Sequence, residues 1–289
     1  MKGIILAGGA GTRLFPITNL LSKQLLDVGG KPMVYYPLTQ LMLAGVRDIA
    51  VITTPEHQEL FKRLLGDGTA WGIHLRYVVQ PKPEGLAQAF ILTEDFCAGE
   101  PVTMILGDNL FYGASDYLKH IGEHRKGALI FAKHVRDPQR FGVVEFDAGG
   151  RAISIEEKPA NPRSHYAVPG LYAYDGEVSR LARALRPSSR GELEITDLNR
   201  VYMERGDLRV VTLRRGIGWY DTGTRDAIER VRQLILLYEQ SQEQLVGSPE
   251  EAAFRMGFIS RTQFKNLISA MPANCEYRRL LELVAAETG

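Results

Sequence analysis

Gly3-Ile4-Ile5-Leu6-Ala7 runs straight into Gly8-Gly9-Ala10-Gly11-Thr12-Arg13-Leu14. A short unbroken apolar run closed by glycine suits a parallel strand, because such a strand is buried on both faces and presents no polar row to water. Similar runs follow at Asp48-Ile49-Ala50-Val51-Ile52-Thr53, Leu75-Arg76-Tyr77-Val78-Val79 and Val102-Thr103-Met104-Ile105-Leu106. Between them the apolar positions change to helical spacing: Leu38, Leu41 and Met42, then Leu60, Phe61, Leu64 and Leu65, then Leu86, Phe90 and Ile91. Strands alternating with helices of this length predict βαβ units and an α/β fold with a doubly wound parallel sheet, helices on both faces.

The middle of the chain changes character. Phe141-Gly142-Val143-Val144-Glu145-Phe146 leads into the turn cluster Asp147-Ala148-Gly149-Gly150, and Ala152-Ile153-Ser154-Ile155-Glu156 then alternates. This predicts a β-hairpin, an antiparallel insertion covering part of the sheet. The sheet is therefore expected to be mixed, though mostly parallel. From Thr224 onward the pattern is almost wholly helical, with breaks at Gly247-Ser248-Pro249 and Met271-Pro272. Residues 1–224 are expected to form one α/β domain that includes the insertion, and residues 225–289 a C-terminal helical extension packed on it.

Composition narrows the function classes. A chain of 289 residues, 45% apolar and 24% charged, can bury a full core. Its formal net charge of +1 supplies no global field for nucleic acid or an anionic membrane, so neither is expected as a partner. An anionic small substrate would have to be held by a local cluster of cations. Two cysteines, Cys97 and Cys275, make no disulfide framework. No apolar run approaches the ~18 residues of a membrane span and the N-terminus has no leader pattern, so a cytoplasmic protein is expected.

Chemistry begins in the first loop. Gly8, Gly9 and Gly11 let backbone N–H groups approach an anion closely because no Cβ intervenes. Arg13 can grip phosphate oxygens with two parallel N–H groups, and Lys23 adds a point charge. The loop lacks the third glycine of the dinucleotide fingerprint and the Gly-Lys-Ser/Thr of a P-loop. The longer string Leu6-Ala7-Gly8-Gly9-Ala10-Gly11-Thr12-Arg13-Leu14-Phe15-Pro16, followed by Lys23-Gln24-Leu25-Leu26, resembles the signature of the sugar-phosphate nucleotidyltransferases. That resemblance implies a Rossmann-like fold. It also implies nucleotide contacts from Leu6, Gly8, Gly9, Gly11 and Thr12, with Arg13 and Lys23 polarising the triphosphate.

Further matches follow in order. Gln80-Pro81-Lys82-Pro83-Glu84-Gly85-Leu86-Ala87-Gln88-Ala89 resembles the base-recognition segment of the family's thymidylyltransferase branch. By that resemblance Gln80 pairs with the thymine edge and Gly85 lets the base lie close. A side-chain amide offers one donor and one acceptor, which matches the N3–H and carbonyl of thymine or uracil. Asp108, in Leu106-Gly107-Asp108-Asn109, follows a buried strand run at the sheet's carboxyl edge, where open α/β sheets bind ligands. With Asp221, in Trp219-Tyr220-Asp221-Thr222-Gly223-Thr224, it resembles the family's Mg²⁺ ligands, Asp108 also touching nucleotide. One or two carboxylates plus substrate phosphate oxygens are the usual Mg²⁺ donors. Lys158 matches the lysine that binds the sugar's phosphate, Glu157 the carboxylate on sugar hydroxyls, and Arg190 a second cation. Gly142, Val168 and Gly170 fall where the family wraps the sugar with backbone.

The implied substrates are dTTP and glucose 1-phosphate, the catalytic cations Arg13, Lys23 and Lys158, and the assembly a homotetramer supported by the C-terminal helices, which in relatives also carry an end-product inhibitor site. UTP or another sugar phosphate remains open, since thymine and uracil differ by one methyl group. A nucleotide-sugar glycosyltransferase would lack the Gly8–Lys23 string, and a non-enzymatic regulatory subunit would have lost a cation or an aspartate. Two departures bear on sugar choice: Phe141 stands where relatives often have tyrosine, and Asp27 where many have proline. His120-Ile121-Gly122-Glu123-His124 matches a zinc-protease pattern, but Gly122 weakens a helix there and the flanking Lys119, Arg125 and Lys126 suggest a solvated face.

Overall fold

The fold was obtained as a computed structural model, which describes residues 1–9 and 11–287; Thr288 and Gly289, the end of the expected extension, lie outside the described residues. The strands are β1 (Lys2–Ala7), β2 (Asp27–Val28), β3 (Lys31–Pro32), β4 (Asp48–Thr53), β5 (His74–Val79), β6 (Val102–Leu106), β7 (Asn109–Tyr112), β8 (Ala128–His134), β9 (Gly142–Phe146), β10 (Ala152–Glu157), β11 (Tyr166–Ala167), β12 (Leu171–Tyr174), β13 (Leu208–Thr212) and β14 (Gly218–Asp221). The helices are α1 (Tyr35–Leu43), α2 (Gln58–Leu65), α3 (Gln88–Leu92), α4 (Glu94–Cys97), α5 (Leu118–Gly122), α6 (Val178–Ala184), α7 (Ile195–Glu204), α8 (Arg225–Gln242), α9 (Pro249–Arg255), α10 (Arg261–Ser269) and α11 (Glu276–Ala286).

The main sheet runs β10-β9-β11-β8-β12-β6-β1-β4-β5, with β13 alongside β8. Strands β5, β4, β1 and β6 are mutually parallel, as expected. The chain leaves β1 toward β4 and β5, then returns to β6 on the other side. The carboxyl ends of β1 and β6 therefore flank a topological switch point, where an open α/β sheet presents a crevice. Beyond β6 the antiparallel β12 makes the sheet mixed.

Side chains along the strands alternate between two cores, as the period of two requires. Ile5, Val51, Ile105 and Phe131 face one core, which α1, α2, α5 and the last three helices complete. Ile4, Ile52, Met104 and Ile130 face the other, filled by α3, α6 and α7. Both faces are covered, so β1, β4 and β6 are apolar except for Lys2 and Asp48 at their starts and the buried Thr53 and Thr103.

Three details differ from expectation. β5 is the sheet's free edge, and its residues are only half-buried or exposed, which accounts for His74 and Arg76 within it. The β9–β10 hairpin does not lie over the sheet; β11 pairs with both β8 and β9, so the hairpin prolongs the sheet edgewise. The C-terminal segment has a third break, at residues 256–260. Gly257, with φ near 67°, ends α9, and Ser260 with Gln263 forms the capping box that starts α10.

Two local devices position the site. β7 and β14 form a separate antiparallel ribbon that pairs Asn109 with Asp221 and Tyr112 with Gly218. At its far end Gly113 has φ near 100°, and a Cβ there would sit 2.3 Å from the Gly216 carbonyl, so only glycine closes the ribbon. Helix α8 packs Val231 and Ile235 on Val28, Met33, Tyr36 and Leu110. It is pinned by a buried ion pair, Lys31 Nζ to Glu239 Oε1 at 2.6 Å.

Candidate active site

A cavity of about 670 Å³ opens at the carboxyl ends of β1 and β6, and Gly9, Gly11, Thr12, Arg13, Lys23, Asp108, Gly142, Glu157, Lys158, Val168 and Asp221 all line it. One volume of this size can hold a nucleotide and a sugar phosphate. The glycine loop has separable geometric roles. Gly11, at φ near 58°, starts the turn Thr12–Leu14, and its carbonyl accepts from Thr18 Oγ1 at 3.1 Å. A Cβ at Gly9 would meet no atom within 4 Å, so that backbone faces open space. Gly8 differs: a Cβ there would lie 2.0 Å from Gln80 Oε1, so the glycine admits that amide against the loop.

The two aspartates, 113 positions apart, meet because of the ribbon. Asp221 ends β14 opposite Asn109. Next to it, Thr222 donates its N–H and its Oγ1 hydroxyl to the Asp108 carbonyl, at 3.1 and 2.7 Å. Lys23, 6% exposed, donates to Asp108 Oδ2 at 2.6 Å. Arg140 Nη2 lies 3.2 Å from Asp221 Oδ2. Burial pushes the Asp221 carboxyl above its ordinary value, and the Asp108 charge adds to this, against the pull of Lys23, Arg140 and Arg13. Two hard carboxylates, one of them penalised by the other's charge, form a donor pair that a divalent cation relieves, and Mg²⁺ fits it. Among the described residues no cluster of three His, Cys, Asp or Glu side chains could hold a metal. His124 Nε2 is engaged by the Gly127 carbonyl at 3.0 Å, and His120 contacts Arg209.

The other half of the cavity comes from the hairpin and α7. Glu157 Oε2 accepts from Thr196 Oγ1 at 2.5 Å, and Lys158 Nζ lies 3.6 Å from Glu157 Oε1. Lys158 has φ near 44°, and its N–H is held by the Phe141 carbonyl at 3.0 Å. A lysine in the left-handed region persists only where its surroundings over-determine it. Val168 N–H donates to the Gly142 carbonyl at 2.8 Å, and Gly170 N–H to Asn109 Oδ1 at 3.0 Å.

Five expected residues lie off this lining. Leu6 is in β1, its carbonyl accepting from Gly107 N–H at 2.9 Å. Gly8 and Gln80 face each other behind the glycine loop. Gly85 has φ near 104°, and a Cβ there would overlap the Leu193 backbone at 2.4 Å, so packing alone demands glycine. Arg190 is tied to Glu194 at 2.7 Å and lines an adjoining groove that Lys158 and Glu157 share. Sequence reading passed over Arg140, Trp219 and Asn199, all of which line the cavity. The Trp219 ring packs against Phe141 at a tilt of 59°, centroids 4.8 Å apart, and donates its Nε1–H to Asn109 Oδ1 at 2.6 Å. Asn199 accepts from the Tyr174 hydroxyl at 2.6 Å and leaves its buried Nδ2 unpartnered. Trp219 stood two places before Asp221 in a quoted motif; Arg140 and Asn199 carried no signal.

Comparison with known proteins gives the same direction. Residues 2–236 match the Nucleotidyl transferase family. The chain belongs to that family. Among nucleotidyl transferases, the glucose-1-phosphate thymidylyltransferase of Xanthomonas campestris pv. campestris (strain B100) is 51% identical over 286 residues, covering 98% of this chain and 97% of its own. The glucose-1-phosphate thymidylyltransferase of Mycolicibacterium smegmatis (strain ATCC 700084 / mc(2)155) is 50% identical over 289 residues, covering 99% and 100%. A solved Bacillus anthracis structure with sucrose bound, provisionally described as a glucose-1-phosphate thymidylyltransferase, superposes with a TM-score of 0.76 at 42% identity, covering 82% of this chain and 95% of that one. The UDP-glucose pyrophosphorylase complexed with UDP-glucose shares the fold, with a TM-score of 0.72 at 21% identity, covering 83% of this chain and 98% of that one.

Proposed function

We propose that this nucleotidyl transferase makes dTDP-glucose and pyrophosphate from dTTP and glucose 1-phosphate. The observation that carries the reading is the cavity itself, which gathers a glycine loop, four basic side chains (Arg13, Lys23, Arg140 and Lys158) and two carboxylates distant in sequence at one switch point. The sugar phosphate is anionic at neutral pH and needs no general base to attack the α-phosphorus in line. The obstacle is repulsion: two unit charges 4 Å apart cost about 4 kcal/mol at an effective dielectric near 20, and these groups carry more. Arg13 and Lys23 would bind the triphosphate and stabilise the charge that builds on it, while Lys158, with Arg190 from the adjoining groove, would neutralise the incoming phosphate. Glu157, anchored by Thr196, would take sugar hydroxyls, and the Gly142 and Val168 backbone would wrap the ring. Gln80, backed on Gly8, would read the base. Asp108 and Asp221 would hold Mg²⁺, which when bound supplies positive charge to the triphosphate oxygens. Fixing both substrates in line contributes roughly 7–11 kcal/mol more.

Pyrophosphate release over a grid of dTTP, UTP, dCTP and several sugar 1-phosphates tests this. The reading expects the highest kcat/KM for dTTP with glucose 1-phosphate, and turnover confined to another pair would overturn it. We also propose that residues 225–289 act as an extension of a catalytic unit spanning 1–224, that the assembly is a homotetramer and that it works in the cytoplasm; no helix among the described residues is long and apolar enough to cross a membrane. A monomer in sedimentation at micromolar concentration would defeat the tetramer. We propose that the inhibitor site implied by the resemblance lies at a second cavity, about 300 Å³, between α1, β7 and the α8–α9 connection, where Tyr112, Tyr238 and Arg255 would supply polar groups.

A further inference from the structure

Behind the glycine loop lies a chain of three side chains whose polarity is fixed from one end. The Glu84 backbone N–H donates to Gln88 Oε1 at 3.1 Å, and Gln88 Nε2 donates to the Glu84 carboxylate at 2.8 Å. A backbone N–H can only donate and a carboxylate can only accept, so the Gln88 amide has one permitted orientation. Its Oε1 then accepts from Gln80 Nε2 at 2.7 Å. That in turn fixes Gln80, whose Oε1 is directed to the space a Cβ of Gly8 would occupy, 2.0 Å away. Gln80 and Gln88 are 3% and 8% exposed, so water cannot substitute freely for a lost partner.

We propose that Glu84 and Gln88 form a polarity relay that locks the Gln80 amide and thereby selects the hydrogen-bonding edge of the base. The inference rests on the reading of Gln80 as the base-reading residue. Thymine and uracil present an N3–H donor beside a carbonyl acceptor, whereas cytosine presents an N3 acceptor beside an amino donor. An amide free to turn by half a revolution satisfies either edge. An amide held at one end satisfies only one, and the other leaves a buried group unpaired. Gln88 and Glu84 are positioning residues here; neither touches the base.

The test is the ratio of kcat/KM for dTTP to that for dCTP, with UTP as control. A ratio within one preparation does not depend on the fraction of folded enzyme. Gln88→Met keeps the volume but removes the acceptor, and should lower the dTTP:dCTP ratio by about tenfold or more while leaving dTTP:UTP unchanged. Gln88→Ala, which admits a water that can both donate and accept, should do the same if the methionine variant fails to fold. The double change Glu84→Gln with Gln88→Glu restores an acceptor held in place by its neighbour and should return the ratio to within about threefold of the parent. Equal loss for all three nucleotides in Gln88→Met, or an unchanged dTTP:dCTP ratio, would overturn the relay. Gln80→Met separates the two claims. If it abolishes discrimination and Gln88→Met does not, the relay alone falls. If Gln80→Met leaves discrimination intact, the base-reading assignment falls with it.

Discussion

Arg13 and Lys158 line the same cavity but answer to different substrates, and kinetics can tell them apart. Arg13→Ala should reduce kcat by about 10³-fold or more, by analogy with the transition-state arginine of other phosphoryl transfers. Lys158→Ala should chiefly raise KM for the sugar phosphate. Steady-state rates with each substrate varied decide this, and near-parental kcat in Arg13→Ala would remove it from the machinery. Asp221 allows a stability test. Its carboxyl pKa is raised, so folding favours the protonated form. That preference is fully present below the unfolded value near 3.8 and is lost as pH rises through the folded value, which leaves a strained carboxylate at neutral pH. Asp221→Asn should therefore raise the metal-free melting temperature at pH 7, by roughly 2 °C for ~1 kcal/mol, and should lack the further rise with Mg²⁺ that the proposed site predicts for the parent. A variant that melts lower than the parent, or still responds to Mg²⁺, would contradict this. The charged residues were readable because they stood in motifs with fixed neighbours. Arg140 was not, since an arginine before a hairpin looks like any solvated cation until the fold brings Asp221 beside it 81 positions later.

Elements were readable where one physical rule dominated. β4 and β6 coincide with their apolar runs because both lie inside the sheet, where burial on two faces leaves no ambiguity. β5 did not follow that rule because it is the sheet's edge, and the hairpin's placement depended on β11, a two-residue strand too short to announce itself. Helix α8 is held by a contact that no pattern predicts, the Lys31–Glu239 pair spanning 208 positions. Both side chains are under 10% exposed, so removing one strands the other. Glu239→Ala or Lys31→Met alone should cost about 3–5 kcal/mol in denaturant unfolding, whereas Lys31→Met combined with Glu239→Leu should recover most of it. Additive losses in the double variant would show that the two do not act as a pair.

At the scale of the whole molecule, the C-terminal helices share the core that the catalytic strands use. Phe264, Ile268 and Leu281 belong to the same apolar cluster as Ile5, Ile105 and Phe131. We therefore expect the chain to unfold in one calorimetric transition, with calorimetric and van't Hoff enthalpies in agreement, and a chain ending at residue 224 to be insoluble. Two separated transitions, or a soluble folded truncation, would refute this. The length of the α/β core could be read from sequence spacing, but this joint core could not, because apolar helices announce burial without naming the surface that receives them. The ribbon of β7 and β14 has a consequence reaching across the molecule. It works as a ruler: four residue pairs, roughly 13 Å of strand, separate the tight closure at Gly113 from the acidic end. Anything that disturbs the closed end slides one strand against the other, and the misalignment is delivered at the opposite tip, where the proposed metal site would need its two carboxylates in register. A residue with no chemistry of its own thus sets the gauge for the chemistry.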